Sequence, residues 1–148
     1  MSLPTFFGRA TAASTQHVHL AELLRELNAA CAGLAERERP MTSDMLRLLG
    51  KLELEMRDHF SAEEADGYFG TLASELPALL PTIAGLRADH TRMLEVVGEL
   101  RLSAESTNGG SELASRTKAL TDQFKAHERI EADLVRSFLL RDPALSDD

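Results

Sequence analysis

The chain has 148 residues, 43% of them hydrophobic and 27% charged, with 16 Lys and Arg against 24 Asp and Glu for a net charge of −8. That length supports one core burying roughly 68–70% of the unfolded surface, so residues 1–148 read as a single domain with a helical core at about 14–139 and short flexible termini. The negative charge, with no basic stripe interleaved with aromatics, argues against a nucleic-acid partner; no apolar run approaches the ~20 residues of a membrane span, and Met1 to Thr15 carries no export signal, so a cytoplasmic location is expected.

Four stretches place apolar residues at alternating steps of three and four, the spacing of one helical face. The first runs from about Ser14, a candidate N-cap, through Leu20, Leu24, Leu27, Cys31 and Leu34 to the charged segment Glu36–Pro40. The only cysteine, Cys31, lies on this stripe and reads as a small buried hydrophobe. The second begins near Thr42 and Ser43, carries Met45, Leu48, Leu52 and Met56, and stops at Gly67. Tyr68 to Pro81, interrupted by Gly70, Pro77 and Pro81, predicts a connection with a short helical turn. The third carries Ile83, Leu86, Met93, Val97 and Leu100 and ends before the loop Ser106-Thr107-Asn108-Gly109-Gly110. The fourth starts at Ser111, carries Leu113, Thr117, Leu120, Phe124, Leu134 and Phe138, and stops before Pro143, leaving a frayed tail at Ser146 to Asp148. No stretch alternates with period two. The fold class is therefore all-α, an up-down-up-down antiparallel four-helix bundle.

Polar residues interrupt these stripes without breaking phase. His127 and Glu131 fall between Phe124 and Leu134, His59 and Glu63 follow Met56, His90 lies between Leu86 and Met93, and His17 precedes Leu20. An unpaired carboxylate is almost never fully buried. Glu63 and Glu131 therefore need a cationic neighbour, and no Lys or Arg shares their phase. A metal ion would satisfy carboxylates and imidazoles together, and each His-x-x-x-Glu pair spans one turn of one face.

Register supports convergence. In an antiparallel hairpin, level residues have their mean position in the turn; the mean of 17 and 59 is 38, inside Glu36–Pro40, and that of 90 and 127 is 108.5, inside Asn108-Gly109. All six groups then share one layer, near the connection of the second and third stripes. The order His then His-x-x-x-Glu occurs twice, which suggests a pseudo-symmetric centre with two histidines for each of two metals and both glutamates as bridges. Imidazole and carboxylate donors suit iron, manganese or zinc, and glutamate-bridged pairs in bundles point to iron or manganese. The alternative is a metal-free bundle whose histidines hydrogen-bond the glutamates. His19, on the opposite face from His17, reads as exposed, Glu64 and Glu128 as solvated, and Tyr68 as a helix-end aromatic or an outer hydrogen-bond donor to the site.

These six residues, with His59-Phe60 followed by Glu63-Glu64, resemble the hemerythrin-like family, also called the HHE cation-binding domain, over about Ser14 to Phe138. The resemblance implies that His17, His59, His90 and His127 are iron ligands and that Glu63 and Glu131 bridge two non-haem, oxo- or hydroxo-bridged irons, with manganese or zinc as substitutes. Oxygen-carrying members have a further third-helix histidine and a fourth-helix aspartate where this chain has Leu86 or Leu94, and Ala132. The symmetric set is more similar to bacterial domains linked to iron-centre repair, nitrosative stress, and oxygen or iron sensing. The expected function is binding or sensing of O2, NO or iron redox state by a metal protein rather than an enzyme, with no catalytic residue assigned. A diiron oxidoreductase or repair protein, and a metal-free scaffold, are the alternatives.

Overall fold

The computed structural model describes residues 3–37, 43–65, 68–106 and 110–140. Helix α1 spans Leu3–Arg37, α2 Ser43–Ala65, α3 Tyr68–Glu75, α4 Leu80–Ser106 and α5 Gly110–Leu139, with a 3-10 turn at Pro77–Leu79 before α4. The four long helices form an antiparallel bundle in which α1 packs on α2 and α5, and α4 on α2 and α5. Each thus touches the helices before and after it around a ring. Among the described residues no single helix is long and apolar enough to cross a membrane.

Two boundaries differ from the sequence reading. Helix α1 starts at Leu3, so Ser14 lies inside it and is not its N-cap. The inward stripe begins only at His17 and Leu20, whereas helix continues wherever no residue breaks it, and Pro4 sits in the first turn where proline is tolerated. The segment after Gly67 is more ordered than one turn, with the eight-residue α3 preceding the 3-10 turn. The expected loops around 38–42 and 107–109, the stop at Gly67, the tail beyond 140 and the side chains of Leu34 and Tyr68 lie outside the described residues.

The apolar interior has two parts. The larger holds Leu20, Leu24, Leu27, Cys31, Met45, Leu52, Met56, Met93, Val97, Leu100, Leu120 and Phe124. Leu49 is buried there, with Leu48 beside it only half-buried, because 3.6 residues per turn places the fuller contact at 49 after Met45. The smaller cluster, Phe69, Leu72, Ile83, Leu86, Leu134 and Phe138, is closed by α3. Following α5, Leu120 and Phe124 belong to the first cluster, Leu134 and Phe138 to the second, and His127 and Glu131 lie between. The polar layer is a slab between two apolar plugs. Between α1 and α5, Asn28 Nδ2 donates to Thr121 Oγ1 at 2.7 Å, and the buried Cys31 thiol lies 3.7 Å from Thr117 Oγ1. Burial pushes that thiol up, Thr117 opposing it, which fits a packing role for Cys31.

Candidate metal centre

Helical phase carries five of the six side chains fully inside, His59, Glu63, His90, His127 and Glu131, while His17 is 16% exposed. His17 comes from α1, His59 and Glu63 from α2, His90 from α4, and His127 and Glu131 from α5. Two overlapping sets form. His17, His59, Glu63 and Glu131 each offer one donor atom within 4.8 Å of the others, and so do Glu63, His90, His127 and Glu131. Both glutamates belong to both sets. The histidine pairs expected to be level are neighbours: the rings of His17 and His59 have centroids 4.6 Å apart, and Nε2 of His90 is 3.0 Å from Nε2 of His127.

Inside the layer, His17 Nε2 is 2.9 Å from Glu131 Oε2, His59 Nε2 is 3.2 Å and His90 Nε2 3.4 Å from Glu63 Oε1, and His127 Nε2 is 3.5 Å from Glu131 Oε2. Despite these distances, both oxygens of Glu63, both of Glu131, and Nε2 of His17 and His59 make no hydrogen bond. Buried polar groups almost always find partners. Here they face a common space, and among the described residues no Lys or Arg pairs with either glutamate.

The outer faces of three histidines are held. His59 Nδ1 contacts Gln16 Oε1 at 2.5 Å, His90 Nδ1 contacts Glu64 Oε2 at 3.3 Å, and His127 Nδ1 contacts Asp89 Oδ2 at 3.3 Å. An oxygen at Nδ1 accepts that N–H, so the Nε2 lone pair turns inward. For His90 and His127 this aims both Nε2 atoms at a common point from 3.0 Å apart, an arrangement that a shared cation would satisfy. Two nitrogens bound at about 2.1 Å and right angles to one ion would lie roughly 3 Å apart. The residues therefore fit metal.

Ionisation agrees. Burial pushes His17 down to about 4, with His59 adding to the effect, Glu63 opposing it and His90 adding further. Burial likewise pushes His127 down to about 4, with His90 adding and Asp89 and Glu63 opposing. Both are neutral at pH 7, the form that ligates. Burial, then the adjacent Glu63, then Glu128, pushes Glu131 far up; burial also raises Glu63, but the imidazoles of His59 and His90 outweigh it and hold Glu63 below the usual carboxylate range. The two carboxyls are thus driven in opposite directions, Glu131 towards its protonated form and Glu63 towards its charged form.

Gln16, Glu64 and Asp89 were not expected around the site. Glu64 does more than meet solvent: it is half-buried and reaches His90. Glu128 is also not fully solvated, because its Oε1 is buried without a hydrogen bond and burial raises its carboxyl, Lys125 opposing. Adjacency to a ligand in sequence was the one available signal. His19 lies apart, half-exposed, with Nε2 2.7 Å from Glu55 Oε2. Of the positions where oxygen carriers differ, Leu86 is buried, Leu94 half-buried and Ala132 exposed.

No curated protein and no solved structure matches the chain. A family model described as the hemerythrin HHE cation-binding domain matches residues 12–139, a span that contains all six converging residues. With that match over most of its length, the chain belongs to the hemerythrin HHE cation-binding domain family.

Proposed function

We propose that the chain holds two non-haem irons, His17 and His59 serving one position, His90 and His127 the other, and Glu63 and Glu131 both, in a redox-responsive centre that meets O2 or NO. The observation that carries this reading is the pair of four-residue sets sharing both glutamates. Each position would have about four protein donors, fewer than iron commonly takes, so coordination sites remain for small ligands. Bound iron would supply electron transfer. The chain's residues do the rest: Glu63 and Glu131 offset cationic charge, the outer contacts fix the imidazole faces, and Leu86, Met93, Phe124 and Leu134, all buried, exclude water and charged substrates. Leu86 and Leu94, one turn either side of His90, are both apolar where oxygen carriers offer a further histidine at one of these positions, which favours reaction with O2 over reversible storage.

The decisive experiment joins metal analysis to a gas cycle. Protein produced with ample iron should hold about two irons per chain, and the anaerobic ferrous protein should consume O2 that vacuum does not return. Stoichiometry near zero would leave a metal-free scaffold. Full recovery of O2 through repeated cycles would instead restore oxygen storage.

A further inference from the structure

The two halves of the centre are built unequally, and we propose that they form one tight metal position on His90 and His127 and one labile position on His17 and His59, set by Glu64 and Asp89 on one side and Gln16 on the other. This rests on the two-metal reading above.

Three observations point the same way. Both histidines of the first half are backed by carboxylates, Glu64 behind His90 and Asp89 behind His127, whereas His59 is backed by the neutral amide of Gln16. A carboxylate at Nδ1 raises the basicity of Nε2, and hydrogen bonds to ionised acceptors are roughly twice as strong as neutral ones. The amide contact is the shorter of the three, but it brings no charge. Packing also differs. His90 stacks against Phe60, with centroids 4.0 Å apart and planes 6° apart, and against Phe69 at 5.6 Å and 17°, so its orientation is fixed before any ion arrives. His17 meets its aromatic neighbours edge-on, with interplanar angles of 77° to His59 and 84° to Phe124. Access differs as well. The side chains of His90, His127 and His59 are 2%, 0% and 2% exposed, so the access lies at His17, which is 16% exposed. A groove of about 380 Å³ between α1 and α2, lined by Gln16, His19, Leu20, Glu55, Asp58 and His59, reaches the Nδ1 side of the labile half.

Charge, rigidity and dryness thus all favour the α4–α5 half. Its position fills first and empties last, and the α1–α2 half exchanges its ion. Gln16, Glu64 and Asp89 are positioning residues that act through the histidines they touch.

Cobalt(II) titrated into the metal-free full-length chain, followed by visible absorption and equilibrium dialysis, separates the two positions. The first equivalent should bind at least about tenfold more tightly than the second. Asp89→Asn, at a half-exposed position, should weaken the first step by about 10–100-fold and spare the second. Gln16→Glu, at an exposed position, should tighten the second by a similar factor, with helicity in both variants unchanged. Two equal steps, or loss of only the weaker step in Asp89→Asn, would overturn the inequality while leaving the two-metal centre standing. A wild-type chain that binds no cobalt would remove both.

Discussion

The apolar layer around Leu52, Val97 and Leu120 and the polar layer around Glu63, His90 and Glu131 lie on the same helix faces and are equally buried. Their energetics are opposite. A buried leucine or valine contributes about 1.5–3 kcal/mol simply by leaving water, whereas each buried ion costs several kcal/mol unless something of opposite charge restores what water gave. The first layer is complete as folded. The second depends on an ion, and the apolar clusters flanking it must hold its groups together in the meantime. A bundle can carry such a layer because the larger cluster, which runs from Met45 to Phe60 on α2, Met93 to Ala104 on α4 and Leu113 to Phe124 on α5, sustains the fold.

The sharpest way to break this contrast is to remove the ion and to damage the apolar layer in parallel. Metal at about 1,000 times its dissociation constant stabilises by about 4 kcal/mol, which for a chain of this size is a rise in Tm of roughly 10 °C. Chelation should reverse it. Leu52→Ala should cost about 2–5 kcal/mol, and equally in metal-free and metal-loaded protein, as read by thermal melts of all four samples. A melting temperature indifferent to chelator would erase the distinction between the layers.

A smaller effect sharpens the comparison through pH. In metal-free protein Glu131 has a raised pKa, so the folded state keeps a proton that the unfolded chain has lost above about 4.5, and stability falls as pH rises beyond that value. His17 and His127 have lowered pKa values, so their contribution is complete above 6.5 and is lost as pH falls from there towards 4. Glu63, also lowered, contributes above 4.5 and loses that contribution in stronger acid. Two imidazoles outweigh one carboxyl between 4.5 and 6.5, which places the metal-free optimum near pH 6.5 with a decline on the alkaline side. Glu131→Gln, which fixes a neutral group there, should flatten the decline and abolish metal retention. Melts from pH 5 to 9 in chelator test this, and a metal-free protein that grows more stable from pH 7 to 9 would contradict it.

The smallest expected effect is at the surface. His19→Ala removes a half-exposed ion pair with Glu55 worth at most about 1 kcal/mol, and metal content should stay at the wild-type value. Loss of metal comparable to that in Glu131→Gln would redraw the boundary of the polar layer.

The layer itself was legible because burial imposes phase. His127 and Glu131 keep step with Phe124 and Leu134, and loop-centred means set the histidine pairs level without any coordinates. What escaped was everything with no phase to keep. Gln16, Glu64 and Asp89 sit off the stripes, and each serves a neighbouring helix rather than its own. Which partner such a side chain finds depends on interhelical distance and rotamer, neither of which leaves a period in the sequence. The start of α1 was misread for the complementary reason, since helix persists there ahead of the stripe that announced it.

Those three off-stripe residues share an order. Gln16, next to His17 on α1, holds His59 on α2; Glu64, next to Glu63 on α2, holds His90 on α4; Asp89, next to His90 on α4, holds His127 on α5. Each helix grips the inner side chain of the next, as links in a chain drive grip successive teeth. The orientation of each of these imidazoles therefore depends on the helix before it as well as its own, so α1, α2, α4 and α5 are tied in sequence through the polar layer.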